Sequence, residues 1–120
     1  MNIQHTKLQS GGWRKLPLIE QLANVGSEVE RAIKWKNKNN SEYSQLAFFR
    51  ALELLDFSLA DRKNISRLSE ITRLREVLVD YFFGENIYAS TDRNWQRYFY
   101  SFTFAVRTRP PSPQKFPPYD

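Results

Sequence analysis

One charged residue lies where an amphipathic pattern calls for an apolar one, and it and three neighbours on other predicted helices are the side chains best placed to do chemistry. Arg75 falls on the apolar side of a predicted helix. An unpaired buried charge costs about 3–5 kcal/mol, so Arg75 should meet a carboxylate. The candidate partners are Glu28, Glu53 and Asp56. Arg50 precedes Glu53 by one helical turn and joins the same cluster. We therefore predict a buried polar network of Glu28, Arg50, Glu53 and Arg75.

Two interpretations of this predicted network stay open, because residue spacing does not separate them. The favoured one is a set of ion pairs between helices that fixes their register. The other is a pocket for a small anion or a phosphate. An enzyme using carboxylate acid–base chemistry is a minor variant of the second, with Asp80 as a further candidate.

Most other catalytic chemistry lacks its residues. The chain has no cysteine and one histidine, His5, which falls in a predicted flexible arm. Thiolate nucleophiles, His-based triads and helical His pairs for zinc are therefore excluded. The Arg-x4-His motif of HEPN nucleases, the Glu-x-x-His pairs of ferritin-like di-iron bundles and the glycine-rich phosphate loops are also missing. We predict no catalytic residue, no metal and no cofactor.

A stripe of arginines and aromatic residues is the second candidate site. In residues 93–107, helical spacing directs one set of side chains inward: Trp95, Tyr98, Phe99, Phe102, Ala105 and Val106. The opposite side then carries Arg93, Arg97, Tyr100, Phe104 and Arg107, at spacings i, i+4, i+7, i+11 and i+14. We call these five residues the α4 stripe.

Three interpretations of the α4 stripe compete. It can be a solvated face with incidental aromatic residues. It can be a seam buried against another copy or another protein, which is favoured because Arg and Tyr are enriched at interfaces. It can also be a nucleic-acid track, since arginines attract phosphates and aromatic rings stack on bases.

The elements that position these residues are four predicted helices over residues 17–35, 42–59, 64–83 and 92–107. Ser41, Asn64 and the 90–92 segment supply caps, and Gly84 ends the third helix. Each helix has an apolar face, and the connectors are short. These features predict an all-α, antiparallel four-helix bundle over residues 17–107, with a flexible arm over 1–16 and a proline-rich tail over 108–120. Residues 110–113 of the tail resemble a polyproline ligand, although a linker is the favoured interpretation.

Composition is consistent with one folded domain. The 120 residues are 41% hydrophobic and 26% charged. The net charge of +5 favours polyanionic partners without requiring them. We find no signal peptide and no apolar run of the roughly 20 residues that cross a bilayer. We therefore predict a cytoplasmic protein without a membrane association.

Four segments carry a resemblance: residues 24–31 (NVGSEVER), 50–56 (RALELLD), 73–81 (RLREVLVDY) and 95–99 (WQRYF). They resemble a family of small uncharacterised prokaryotic helical-bundle proteins, over about residues 12–107. The resemblance implies a compact helical domain and no known activity. In size, charge and helix count the chain is also similar to the four-helix accessory proteins of diversity-generating retroelements, which are basic oligomers that bind a reverse transcriptase and nucleic acid.

Taken together, these patterns predict a non-enzymatic interaction module that self-associates, or binds another protein, through the α4 stripe. The alternative is a basic accessory protein that binds nucleic acid through the same stripe, for example as a partner of a reverse transcriptase or nuclease. A small-anion pocket or enzyme at the buried charges is a distant third.

Overall fold

The computed structural model describes residues 11–108, and within that range the chain forms four α-helices and no strand. The helices are α1 (Leu18–Asn37), α2 (Ser41–Ala60), α3 (Leu68–Phe82) and α4 (Asp92–Thr108), with short 3-10 turns at Trp13–Lys15 and Arg62–Arg67. The predicted all-α class with four helices is confirmed. No helix in this part of the chain is long and apolar enough to cross a bilayer.

Polar caps fix the ends of the helices. The Asn40 side chain accepts a hydrogen bond from the backbone N–H of Tyr43 at 3.0 Å, which satisfies a free donor at the start of α2. At the start of α4, Thr91 and Asn94 bond to each other's backbone N–H, at 3.0 and 3.2 Å. This reciprocal pair works as a capping box does and fixes where α4 begins.

The connector between α2 and α3 differs from the prediction. Asn64 was expected to cap the third helix, but it lies inside the 3-10 turn and is 3% exposed. Asp61 caps this 3-10 turn, and its side chain accepts from the backbone N–H of Lys63. The α-helix itself begins at Leu68, after Arg67, without a side-chain cap.

The core lies around α1 and α2, the two helices that pack most extensively against each other. Both helices bury an apolar face, α3 covers α2, and α4 covers α1. The buried apolar side chains are Trp13, Leu22, Val25, Val29, Ala32, Ile33, Ala47, Phe48, Ala51, Leu54, Leu55, Ile71, Leu74, Leu78, Trp95 and Phe99. At the centre, the rings of Phe48 and Phe82 stack with centroids 4.6 Å apart.

Trp13 belongs to this core, which corrects part of the predicted arm. Its side chain is 1% exposed, and its indole N–H donates to Ser58 Oγ at 3.1 Å. Residues 11–16 therefore pack with the helices. Residues 1–10 of the predicted arm, including His5, and residues 109–120 of the predicted tail lie outside the described range.

A glycine sets how closely α4 approaches α1. A Cβ placed on Gly26 would lie 2.7 Å from Phe99 Cβ and 2.8 Å from Phe99 Cγ. These atoms are at the root of the Phe99 side chain, so they cannot move aside without moving α4. The contact between the two helices at this point therefore requires the absence of a side chain at position 26.

Candidate interaction surfaces on α4

The α4 stripe is exposed and lies on one continuous helix. All three arginines, Arg93, Arg97 and Arg107, are exposed. Tyr100 is 59% exposed and Phe104 is 52% exposed, although both are large aromatic side chains. The predicted geometry of this face is therefore present, and its role as a contact surface stays a prediction.

Within the α4 stripe the aromatic rings contact each other and the arginines are left unpaired. The centroids of the Tyr100 and Phe104 rings lie 6.0 Å apart at an interplanar angle of 34°. None of the three arginines forms an ion pair with any side chain in residues 11–108. The stripe thus presents an apolar centre with free positive charge on both sides.

The stripe continues onto α1 across a shallow cleft. A cavity of about 490 Å³ lies between the helices, with Tyr100 and Arg107 on one wall and Ser27, Glu30 and Arg31 on the other. Glu30 is exposed and forms no ion pair with another described residue. Within residues 11–108, an unpaired carboxylate and one unpaired arginine of the stripe, Arg107, therefore line the same cleft.

The other side of α4 also has incompletely covered aromatic rings. A groove of about 710 Å³ runs between α3 and α4 over the start of α1. We call it the α3–α4 groove; its apolar lining is Leu18, Leu22, Ile71, Leu74, Val77, Trp95, Tyr98 and Phe102. Tyr98 was predicted to be part of the core, but it is 41% exposed and lines this groove.

Two α4 residues that line the α3–α4 groove have unusual surroundings; one of them, Trp95, also lines the cleft between α1 and α4. Trp95 Nε1 is the one buried side-chain donor or acceptor without a hydrogen-bond partner in the described part of the chain. Buried indole N–H groups normally have such a partner. In addition, burial raises the pKa of the Tyr98 hydroxyl, and the nearby charge of Glu70 raises it further. Tyr98 therefore stays neutral through the physiological range.

The predicted buried polar network exists only in part. Glu28 is 8% exposed and accepts from Arg50 Nε at 3.3 Å, while Arg31, one turn along α1, lies 3.2 Å from the same oxygen. Glu28 and Arg50 therefore link α1 to α2, as the favoured interpretation expects. Glu53 forms no ion pair with any residue in the described range.

The prediction that Arg75 is buried with this network is wrong. Its side chain is 35% exposed and pairs at 2.8 Å with Asp56, which confirms one of the three predicted partners but lies apart from Glu28 and Arg50. A long arginine side chain can cover apolar surface with its stem and still bring the guanidinium group to solvent. The four predicted residues therefore do not line one pocket.

A polar cluster that the sequence did not reveal ties three helices together. Lys36 Nζ on α1 donates to Tyr81 Oη on α3 at 3.0 Å and to Asp92 Oδ1 on α4 at 2.7 Å. Asn37 also donates to Asp92, and the Tyr81 hydroxyl donates to it in a short hydrogen bond. Burial raises the pKa of Asp92, but the bonds from Lys36, Tyr81 and Asn37 outweigh burial and hold that pKa below its ordinary value.

A second unpredicted cluster surrounds Gln21, which is fully buried. Its amide N–H donates to the Trp13 carbonyl at 3.0 Å and to Asp61 at 2.9 Å, and its carbonyl accepts from Asn64 at 2.9 Å. Burial raises the pKa of Asp61, while hydrogen bonds from Lys63 and Gln21 outweigh burial and lower it. Gln21 thereby joins the segment before α1 to the α2–α3 connector.

The face of α2 that points away from the core carries a further set of exposed apolar side chains. Tyr43 is 48% exposed, Leu46 is 48% exposed and Phe49 is 40% exposed. These rings pack on other elements, since Tyr43 packs on Trp35 and Phe49 stacks on Phe83. In the α4 stripe, Tyr100 and Phe104 pack on each other. This α2 face is a suitable internal comparison for the stripe.

Searches with protein-family models, against curated proteins and against solved structures find no match to this chain. Function must therefore be argued from the surfaces themselves.

Proposed function

We propose that this chain is a non-enzymatic interaction module that self-associates through the α4 stripe. The observation that carries the proposal is the exposure of Tyr100 and Phe104, whose rings pack against each other on one helical face while more than half of each residue stays exposed. Clustered exposed aromatic residues are costly to leave in water and are enriched in protein interfaces.

The charges around the rings support a second copy of this chain as the partner. In a twofold dimer each surface meets itself, so a useful surface carries both members of its charge pairs. Arg107 and Glu30 line the same cleft, and neither forms an ion pair in the described structure. In the proposed dimer, Tyr100 and Phe104 supply the buried centre and the arginines pair with carboxylates at the rim.

Light scattering of the full chain at low and high salt tests this proposal. We expect an oligomer that persists at high salt, because apolar burial rather than charge would hold it together. The Tyr100→Ser/Phe104→Ser double variant should be monomeric.

The matched control is Tyr43→Ser/Phe49→Ser, which removes the same two residue types from the exposed α2 face. It should leave the oligomer intact. A monomeric wild-type chain, or an oligomer lost only in the α2 variant, would contradict the proposal.

Nucleic-acid binding through the α4 stripe is the second candidate function, and the three unpaired arginines favour it. Each arginine that neutralises a phosphate should contribute roughly one unit to the slope of log affinity against log salt. We would measure fluorescence anisotropy of single-stranded and duplex oligonucleotides with the wild type and with Arg97→Ser.

The control for this measurement is Arg62→Ser, which removes an exposed arginine from the 3-10 turn. Arg97→Ser should reduce the salt slope and Arg62→Ser should not. Equal effects of the two variants would indicate non-specific attraction to a basic protein, and no binding at low salt would eliminate this function.

A further inference from the structure

We propose that residues 109–120 of the same chain bind in the α3–α4 groove. This site differs from the proposed self-association surface. Tyr98 and Phe102 line the groove and not the cleft beside Tyr100, whereas Trp95 lies between the two and lines both.

The first argument is reach. The described chain ends at Thr108, on the helix that forms one wall of the groove. At a rise of about 1.5 Å per residue, Phe102 lies about 9 Å and Trp95 about 20 Å back along α4 from that end. Twelve residues follow Thr108, and in a polyproline II conformation they would span about 37 Å. The segment is therefore long enough to turn and run back along the groove.

The second argument is chemical fit. Residues 109–120 contain five of the six prolines of the chain, and also Phe116 and Tyr119. Proline-rich segments bind grooves lined by aromatic residues, because their restricted backbone loses little entropy on binding. The α3–α4 groove has such a lining, and about 710 Å³ is within the range of ligand sites that are largely formed in advance.

A paramagnetic label on the full chain tests the proposal. Because the chain contains no cysteine, Lys115→Cys provides a single attachment site for a nitroxide. We expect the indole N–H signal of Trp95 to broaden several-fold more than that of Trp35. Trp35 packs on Tyr43, away from the groove, and serves as the internal reference. Equal broadening of the two signals, or none, would overturn the proposal.

Variants identify the contact. Phe116→Ser/Tyr119→Ser changes only the segment and should abolish the selective broadening while the four helices stay folded. On the groove side, Tyr98→Ser should have the same effect and Tyr100→Ser should have none. In light scattering, the self-association proposal expects Tyr100→Ser to weaken the oligomer and Tyr98→Ser to leave it intact. Each proposal can therefore fail without the other. Selective broadening that survives both the tail variant and Tyr98→Ser would contradict the assigned contact.

A mixed sample separates one chain from two. Spin-labelled chains without ¹⁵N are mixed with ¹⁵N chains without a label. If the segment binds its own chain, the Trp95 signal of the mixture stays sharp. If Trp95 broadens in the mixture as much as in the sample whose chains carry both the nitroxide and ¹⁵N, the segment comes from a second copy and the intramolecular proposal is wrong.

Discussion

Helices α1 and α4 are both amphipathic, yet they are buried to very different extents. Along α1, the buried positions include Leu22, Val25, Val29, Ala32 and Ile33, whereas on α4 only Trp95 and Phe99 are buried. The cause is the number of neighbours. Helix α1 packs on both α2 and α4, while α4 packs mainly on α1 and leaves a groove on its α3 side.

This difference distinguishes apolar surface that stabilises the fold from apolar surface that remains exposed and can bind a partner. Apolar side chains of α1 and α2 contribute to the free energy of folding because they are removed from water. On α4, Tyr98, Tyr100 and Phe104 remain substantially exposed and contribute less to it. Their apolar surface is available for binding, and for this reason both proposals concern α4.

The largest expected effect concerns the well-buried part of the molecule, where α1 and α2 form the core. Phe48 is fully buried between α2 and α3, and its neighbour Phe49 is 40% exposed. Phe48→Ala should lower the free energy of unfolding by about 3–5 kcal/mol, because a cavity replaces the ring. Urea denaturation measures this loss. Phe49→Ala is the matched control and should cost no more than about 1 kcal/mol. Similar losses of stability for the two variants would mean that the Phe48 side of α2 is not part of the core.

The second prediction tests the contact between α1 and α4 at Gly26. Gly26→Ala places a methyl group against Phe99, and overpacking of this kind costs about 1–3 kcal/mol. The better helix propensity of alanine offsets about 1 kcal/mol of that cost. We therefore expect a net loss of up to about 2 kcal/mol, with faster amide hydrogen exchange in α4 than in α2.

Ser27→Ala is the control for this variant, because position 27 is exposed and next in the chain. It should leave the exchange rates of α4 unchanged. Uniformly faster exchange in all four helices of Gly26→Ala would show that α4 does not detach as a separate unit.

The third prediction concerns the polar cluster of Lys36, Asn37, Tyr81 and Asp92 at the start of α4. The folded-state pKa of Asp92 is lowered, so its stabilising contribution is fully present above the unfolded-state pKa of about 3.9 and is lost as pH falls through the lower folded value. Because Asp92 is partly exposed, Asp92→Asn should cost only about 1 kcal/mol at pH 6.

The difference between wild type and Asp92→Asn should shrink in urea denaturation at pH 3. Asp56→Asn is the control, since Asp56 also pairs with a cation but its side chain is 54% exposed. Its effect should be smaller at both pH values. A gap for Asp92→Asn that is the same at pH 6 and pH 3 would contradict the pKa assignment.

The smallest expected effect concerns the exposed aromatic residues of the α4 stripe. Tyr100→Ser/Phe104→Ser should change the free energy of unfolding of the monomer by no more than about 0.5 kcal/mol, because neither ring packs in the core. Denaturation at a low protein concentration isolates the monomer from any self-association. A loss comparable with that of Phe48→Ala would show that the stripe is part of the core, and the comparison between α1 and α4 would no longer hold.

Sequence reasoning found the four helices because their signals are local. Apolar residues recur with the helical period, and caps lie between the periodic segments, so each helix could be placed within a few residues. The same periodicity located the α4 stripe. It could not show that α3 and α4 stay apart, since the distance between two helices depends on side chains from every element. Tyr98 was therefore assigned to the core in error.

The polar residues were harder to predict because their side chains are long or their burial is unusual. Helical angle alone placed Arg75 among apolar residues, but its flexible side chain reaches Asp56 at the surface. Gln21 and Asn64 are buried, although both residue types are mostly exposed in proteins. Trp13 lies before the first helical repeat, so no periodic pattern indicated that its ring completes the core.

The close contact at Gly26 also bears on how this sequence can change over time. Any side chain at position 26 collides with the base of the ring at position 99. A substitution there would become acceptable only together with a smaller residue at 99 or a displaced α4. We therefore expect the two positions to vary as a pair among homologues, and a larger residue at 26 beside an unchanged phenylalanine at 99 would mark a protein in which α4 sits elsewhere.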